Sequence, residues 1–207
     1  RQLYLSKSPF WLQWLYPGLI WHKNRREKSV YLTFDDGPIP IVTPFVLNTL
    51  KKFEAKATFF CIGDNVRKYQ DIFSLVQNDG HAIGNHTQNH LKGWETENNE
   101  YLQNIKNCSE FTGIRLFRPP YGRIKKSQIK SIRSAFPETK IIMWDILSGD
   151  WDKNISPEKC VKNVLKNVRN GSIIVFHDSE KAFERLQYAL PLIMQDLSER
   201  GFQFKSL

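Results

Sequence analysis

Short apolar, β-branched or aromatic runs recur along this chain, and each is followed by a longer segment with helical periodicity. That alternation is the signature of βα units feeding a parallel sheet. Seven runs stand out, at 30–34, 57–61, 81–84, 115–117, 140–144, 173–176 and 202–204. The helical segments carry core stripes, such as Val46, Leu50 and Phe53, then Val161, Leu165 and Val168, then Leu186, Leu190, Ile193 and Leu197. Pro191 is expected to start, kink or split the last of these. Seven units fall one short of a regular eightfold barrel. The expected fold is α/β, a distorted, incomplete (β/α) barrel with about seven parallel strands.

Chemistry-bearing residues sort onto one end of that pattern. Asp35 and Asp36 follow the first run, His86 and His90 the third, Arg118 the fourth, Asp145 and Asp150 the fifth, and His177 the sixth. In parallel α/β folds the carboxyl ends of the strands hold the active site, because the βα loops converge there. His86 and His90 are spaced to share one face of a helical turn and grip one metal ion. One aspartate with two histidines makes a three-ligand site, leaving a fourth position open for water or substrate, as catalytic zinc sites do. The second aspartate is then free for proton transfer. An aspartate pair before Gly-Pro is commonly only a strand-ending turn, and a spaced histidine pair is commonly polar surface. Their conjunction carries the argument.

The run TFDDGP at 33–38 and the run HTQNH at 86–90 resemble the first two motifs of the polysaccharide deacetylases, the NodB-homology enzymes of carbohydrate esterase family 4. Arg118-Pro119-Pro120-Tyr121-Gly122 resembles the third motif, Asp150-Trp151 the end of the fourth, and Val175-Phe176-His177 the fifth. The resemblance spans about 29–179 and implies a barrel of the same distorted kind. It implies that Asp36, His86 and His90 bind one divalent metal, zinc first, with cobalt, nickel or manganese as alternatives. Asp35 would be the catalytic base, its carboxylate held by the Arg118 guanidinium, whose planar fork suits a bidentate grip. Tyr121, after Pro120, would offer its backbone N–H to the oxyanion. His177 would be the general acid, kept protonated by Asp150, and Trp151 would help form the acetyl pocket. The implied activity removes acetyl groups from N-acetylated amino sugars in poly- or oligosaccharides, which favours an envelope location. An O-acetyl esterase, a small-molecule amidohydrolase and a non-catalytic sugar-binding protein are the rivals. Two departures stand out: Val175 replaces a leucine, and Leu147 stands where the fourth motif has its first aspartate. The second makes the sugar-binding side of the cleft less polar than usual.

At 207 residues the chain is long enough for one domain with a large core. Its net charge of +9 bears on partners, not on fold. The cations cluster only at Lys23-Asn24-Arg25-Arg26 and Arg123-Ile124-Lys125-Lys126, and no nucleic-acid module is recognisable, so nucleic acid is not expected and an anionic polysaccharide or envelope surface would be attracted equally well; the resemblance implies an acetylated carbohydrate as the partner. Cys61, Cys108 and Cys160 are too sparse for a disulfide framework and are read as buried small side chains. His22 and His81 are read as structural or exposed. Segment 1–28 stands outside the alternation, with 29–207 as the deacetylase-like domain. Ser8 and Pro9 suit a helix start, and Pro17-Gly18 suits a stop, which argues against a signal-peptide core. Between them Phe10, Trp11, Trp14 and Leu15 form a stripe expected to pack on the barrel rather than rest on a membrane surface.

Overall fold

The computed structural model describes residues 4–207. Strand β1 (Ser29–Asp35) is buried along its whole length, as a parallel strand covered on both faces must be. Around it run β2 (Thr58–Cys61), β3 (Ala82–Asn85), β4 (Leu116–Phe117), β5 (Lys140–Ile141), β6 (Ile146–Leu147) and β7 (Ile173–His177), in the spatial order β5-β4-β3-β2-β1-β7-β6. Every pairing is parallel. The seven strands curl into the expected incomplete barrel. A two-residue β8 (Gln203–Phe204) pairs with Ser29 and Val30 at the foot of β1.

Helices α1 (Trp11–Leu15), α2 (Val42–Lys52), α3 (Gly63–Lys68), α4 (Gln70–Asn78), α5 (Asn98–Thr112), α6 (Lys126–Ala135), α7 (Pro157–Leu165) and α8 (Glu180–Glu199) complete the described chain. The main core lies between the sheet and the helices outside it. There Phe34 stacks between Phe59 and Phe176, with ring centroids 5.2 and 5.6 Å away. Pro191 neither starts nor splits the last helix, because α8 continues through it. The lost hydrogen bond frees the carbonyl of Gln187, an exposed residue that water can satisfy. Leu190, Ile193, Met194 and Leu197 are fully buried around it. At about 1.5–3 kcal/mol each, their burial outweighs the roughly 3 kcal/mol that an interior proline costs.

The run at 140–144 does not form one strand. It pairs with β4 only through Lys140 and Ile141, crosses a gap, and resumes as β6 against β7. The chain from 140 to 147 therefore touches both edges of the sheet and forms the seam of the barrel. Asp145 lies in this gap, before β6 rather than after a strand, so it is not at the carboxyl end. It accepts hydrogen bonds from Arg25 Nη1 (3.0 Å) and Ser172 Oγ (2.8 Å), and Ser172 precedes β7.

The N-terminal segment stitches the seam from outside. Leu147 N–H donates to the Ser6 carbonyl and Ser8 N–H to the Asp145 carbonyl, both at 2.9 Å, while Ile20 bonds on the other flank to Ile141 and Met143. Ser8 is not the helix cap expected of it, because its hydroxyl donates to the Trp144 carbonyl at 2.7 Å. Between these anchors residues 9–19 arch outward. Leu12, Tyr16 and Leu19 face the body. Most of the predicted stripe does not: Phe10 and Trp14 are 73% and 80% exposed, while Trp11 and Leu15, each 49% exposed, reach the edge of the cavity beneath the arch. A helix of five residues held at both ends has its roll set by those anchors, not by its own apolar periodicity.

Candidate active site

Asp35 closes β1 and pairs in register with Phe60 of β2 and His177 of β7. Residues in register on adjacent strands point to the same face, so the carboxylate and the imidazole are neighbours by construction. Two consecutive strand residues would point to opposite faces. Asp36 escapes that rule because its φ of 86° turns the chain, an excursion aspartate tolerates better than most residues. The Asn65 amide donates to the Asp36 carbonyl at 2.7 Å. The turn that follows needs Gly37, since a Cβ there would fall 1.9 Å from an Asp178 carboxylate oxygen.

His86 and His90 do come together, but not on a helix. They lie in an irregular loop after β3, with positive φ at Thr87 (64°) and His90 (58°). The side-chain amide of Asn104 donates to Asn89, and the Asn104 carbonyls accept from Gln88 and Asn89, which ties the loop to α5. The ring centroids are 5.1 Å apart. His86 Nδ1 lies 2.8 Å from the Arg118 carbonyl, which can only accept, so Nδ1 carries the proton and Nε2 is left with a lone pair. That Nε2 is 3.5 Å, and His90 Nε2 3.1 Å, from Asp36 Oδ1.

This cluster has the form of a metal centre. One ligand atom from each of Asp36, His86 and His90 lies within 4.8 Å of the others. Asp36 Oδ1 is buried without a hydrogen-bond partner, a costly state unless a cation sits beside it. The oxygen and nitrogen donors suit zinc and other first-row divalent ions.

Arg118 is fully buried beside Asp35. Its Nη1 donates to Asp35 Oδ1 at 2.8 Å and to Thr33 Oγ1 at 2.6 Å. The grip is not the two-pronged fork expected, because Nε and Nη2 are taken by the carbonyls of Ile142 and Met143. Removing one partner of a buried ion pair strands the other, at a cost of about 3–5 kcal/mol. Arg118→Ala is therefore expected to lose about that much stability in urea unfolding; a loss below about 1 kcal/mol would mean that Asp35 has another partner.

His177 is held from behind. Asp150 accepts a hydrogen bond from His177 Nδ1 at 2.8 Å with one oxygen and from the His177 backbone N–H at 2.7 Å with the other. Arg185 in turn donates to the Asp150 carbonyl at 2.7 Å. Burial pulls the His177 pKa down, but the Asp150 carboxylate, with Asp36 and Asp35, lifts it to about 9. Trp151 packs edge-on against the ring, 5.0 Å away. Pro120 is buried, while Tyr121 is more than half exposed with φ 59° and sets its ring 4.6 Å from His90. Asp35, Asp36, His86, His90, Tyr121, Trp151 and His177 line one cavity, with Arg118 and Asp150 behind it.

Three contributors escaped the sequence reading. Asp178 accepts from Gly37 N–H (3.1 Å) and Thr43 Oγ1 (2.7 Å) and so fixes the turn that carries Asp36; burial raises its carboxyl to about 8. Thr33 shares the Arg118 guanidinium, and Arg185 braces Asp150. Asp178 alone left a signal, a carboxylate directly after a strand.

The chain is similar to proteins of known family. A family model described as polysaccharide deacetylase matches residues 22–136. The chain is 34% identical over 191 residues to a Bacillus cereus peptidoglycan-N-acetylglucosamine deacetylase, covering 90% of this chain and 89% of that protein. It is 34% identical over 204 residues to a chitooligosaccharide deacetylase of Azorhizobium caulinodans, covering 89% and 95%. Among solved structures it superposes with the Bc1960 peptidoglycan N-acetylglucosamine deacetylase in complex with 4-naphthalen-1-yl-N-oxidanyl-benzamide. The TM-score is 0.88 at 32% identity, over 97% of this chain and 95% of that one.

Proposed function

The chain belongs to the polysaccharide deacetylase family, carbohydrate esterase family 4, and from that premise we propose that it is a metal-dependent hydrolase acting on N-acetylated amino sugars of the N-acetylglucosamine type. The reaction releases acetate and leaves a free amine. The observation that carries this reading is the pairing, side by side in register, of a carboxylate held by Arg118 with an imidazole held by Asp150, both facing one three-ligand cluster. The two relatives are named for deacetylation of peptidoglycan and of chitooligosaccharides, whose common feature is an N-acetylated amino sugar. Bc1960 holds an N-oxidanyl-benzamide, a hydroxamic acid, and hydroxamic acids chelate divalent metals.

Asp36, His86 and His90 would hold the ion, with zinc first and cobalt, nickel or manganese as alternatives. When bound, such an ion supplies Lewis-acid polarisation of the acetamide carbonyl and lowers the pKa of the attacking water. Asp35 takes the proton of that water, Arg118 keeping its carboxylate aimed. The Tyr121 N–H is assigned, from the family motif it matches, to the oxygen that becomes negative as the carbonyl carbon turns tetrahedral. His177 gives its Nε2 proton to the departing nitrogen, and Asp150 stabilises the cation until then. Trp151 closes one side of the acetyl site.

Two measurements test this reading. Elemental analysis after dialysis against zinc is expected to find one ion per chain, lost in a His86→Ala/His90→Ala double variant, and chelation is expected to abolish acetate release. Full occupancy in the double variant, or turnover that survives chelation, would refute the assignment. Acetate release from matched N-acetyl and O-acetyl substrates separates an amidase from an esterase. Chitin oligomers, peptidoglycan fragments and acetylated xylan are the panel.

A further inference from the structure

The cavity over the candidate site is much larger than an acetyl group requires. It measures about 640 Å³, within the range that encloses drug-sized ligands, and this volume includes the cleft that must admit the sugar as well as the acyl group. It runs from Asp35, Asp36 and His177 past Leu147 and Val175 to the inner wall of the arch at Leu12, Leu15 and Leu19. Leu147 and Val175 are register partners on β6 and β7, and Val175 lies two residues before His177 on the same face of its strand. The apolar wall therefore begins beside the group that would protonate the leaving amine. This end does not suit a sugar ring, because burying a hydroxyl without a hydrogen-bond partner is unfavourable. Leucines, with Met143 and Ile124, offer it none, and only Tyr16 and Trp21 add polar tips among them.

Resting on the amidohydrolase reading above, we propose that the chain also removes linear N-acyl groups longer than acetyl, the acyl tail lying in the seam cavity between arch and barrel. Chemically nothing else changes. Water adds to the acyl carbonyl, the C–N bond breaks, the amine leaves with a proton, and the tail departs as a carboxylic acid. Water is the only co-reactant.

The test is a series of N-acetyl, N-butanoyl, N-hexanoyl and N-octanoyl glucosamine with the metal-loaded enzyme, product acids being followed by mass spectrometry. While the chain lengthens inside the cavity, kcat/KM is expected to rise about fourfold per methylene, the equivalent of about 0.8 kcal/mol each. Leu12→Asp and Leu15→Asp should each lower the octanoyl-to-acetyl ratio about tenfold or more, since a carboxylate there opposes burial of the tail. A flat or falling series in an enzyme that hydrolyses the acetyl substrate would overturn this proposal and leave the deacetylase reading intact. A gain from an octyl β-glycoside of N-acetylglucosamine, with none from the octanoyl amide, would assign the cavity to the aglycone and also overturn it. Failure to hydrolyse any member strikes at the deacetylase reading itself. A second readout then decides the cavity's ligand, because Trp11, Trp94, Trp144 and Trp151 line it. A saturable fluorescence shift with N-octanoylglucosamine, absent with N-acetylglucosamine and weakened in Leu15→Asp, supports the assignment; no shift overturns it.

Discussion

Asp35→Asn is expected to lower kcat by on the order of 10²-fold or more while leaving the bound metal in place, because it removes the assigned base and none of the assigned ligands. An amide of the same shape keeps the turn and can still accept from Arg118, so the fold should be little disturbed. Asp36→Asn is the contrasting variant. It exchanges a charged ligand oxygen for a neutral one and should weaken metal binding and turnover together. The two residues are neighbours in sequence but differ in surroundings: Asp35 is buried against Arg118, and Asp36 is turned toward His86 and His90. Elemental analysis and acetate release on both variants make the check. Metal lost from Asp35→Asn and retained by Asp36→Asn would reverse the assignment.

Much of this arrangement is legible in the chain because a parallel strand covered on both faces needs an unbroken apolar run, as at β1 and β7. The polar residue that ends such a run falls on the loop face of the sheet. Asp35, Arg118 and His177 are placed by that logic alone. Asp145 looked equivalent and is not, since its position depends on the break between β5 and β6, and periodicity carries no information about which strand pairs with which. The histidine pair was found for a reason the structure does not share. Spacing of four fits a helical turn, but it equally fits a tight loop with two residues at positive φ, and only the anchorage on Asn104 selects the loop. Asp178 and Thr33 act on partners 135 and 85 positions away, Thr43 and Arg118, contacts that exist only once the sheet has formed. The arch is the remaining surprise: its outward-facing aromatics follow from backbone pairing along the seam, which residue type does not encode.

The role of His177 separates an amidase from a cleft that only binds metal and sugar. An amine is a poor leaving group from a tetrahedral carbon unless it is protonated, so an imidazolium beside the base answers a chemical need. Burial alone would drive that imidazole neutral; the Asp150 carboxylate, 2.8 Å from Nδ1, reverses the sign and carries the pKa to about 9. The acid form is then present below that pH and lost above it. The kcat profile should be bell-shaped, its acidic limb belonging to loss of the base and its alkaline limb to His177. In Asp150→Asn the anion disappears while burial remains, so the alkaline limb should move to lower pH. His177→Ala should lose on the order of 10²–10⁴-fold on an amide, and much less on an ester, because an alkoxide leaves with less need of a proton. The comparison uses one sugar carrying either linkage, so that binding is held constant. A structural role for His177 would lower both activities together and leave the limb where it stood. An alkaline limb unmoved in Asp150→Asn, or equal losses on amide and ester in His177→Ala, would refute the assignment of this residue as the acid.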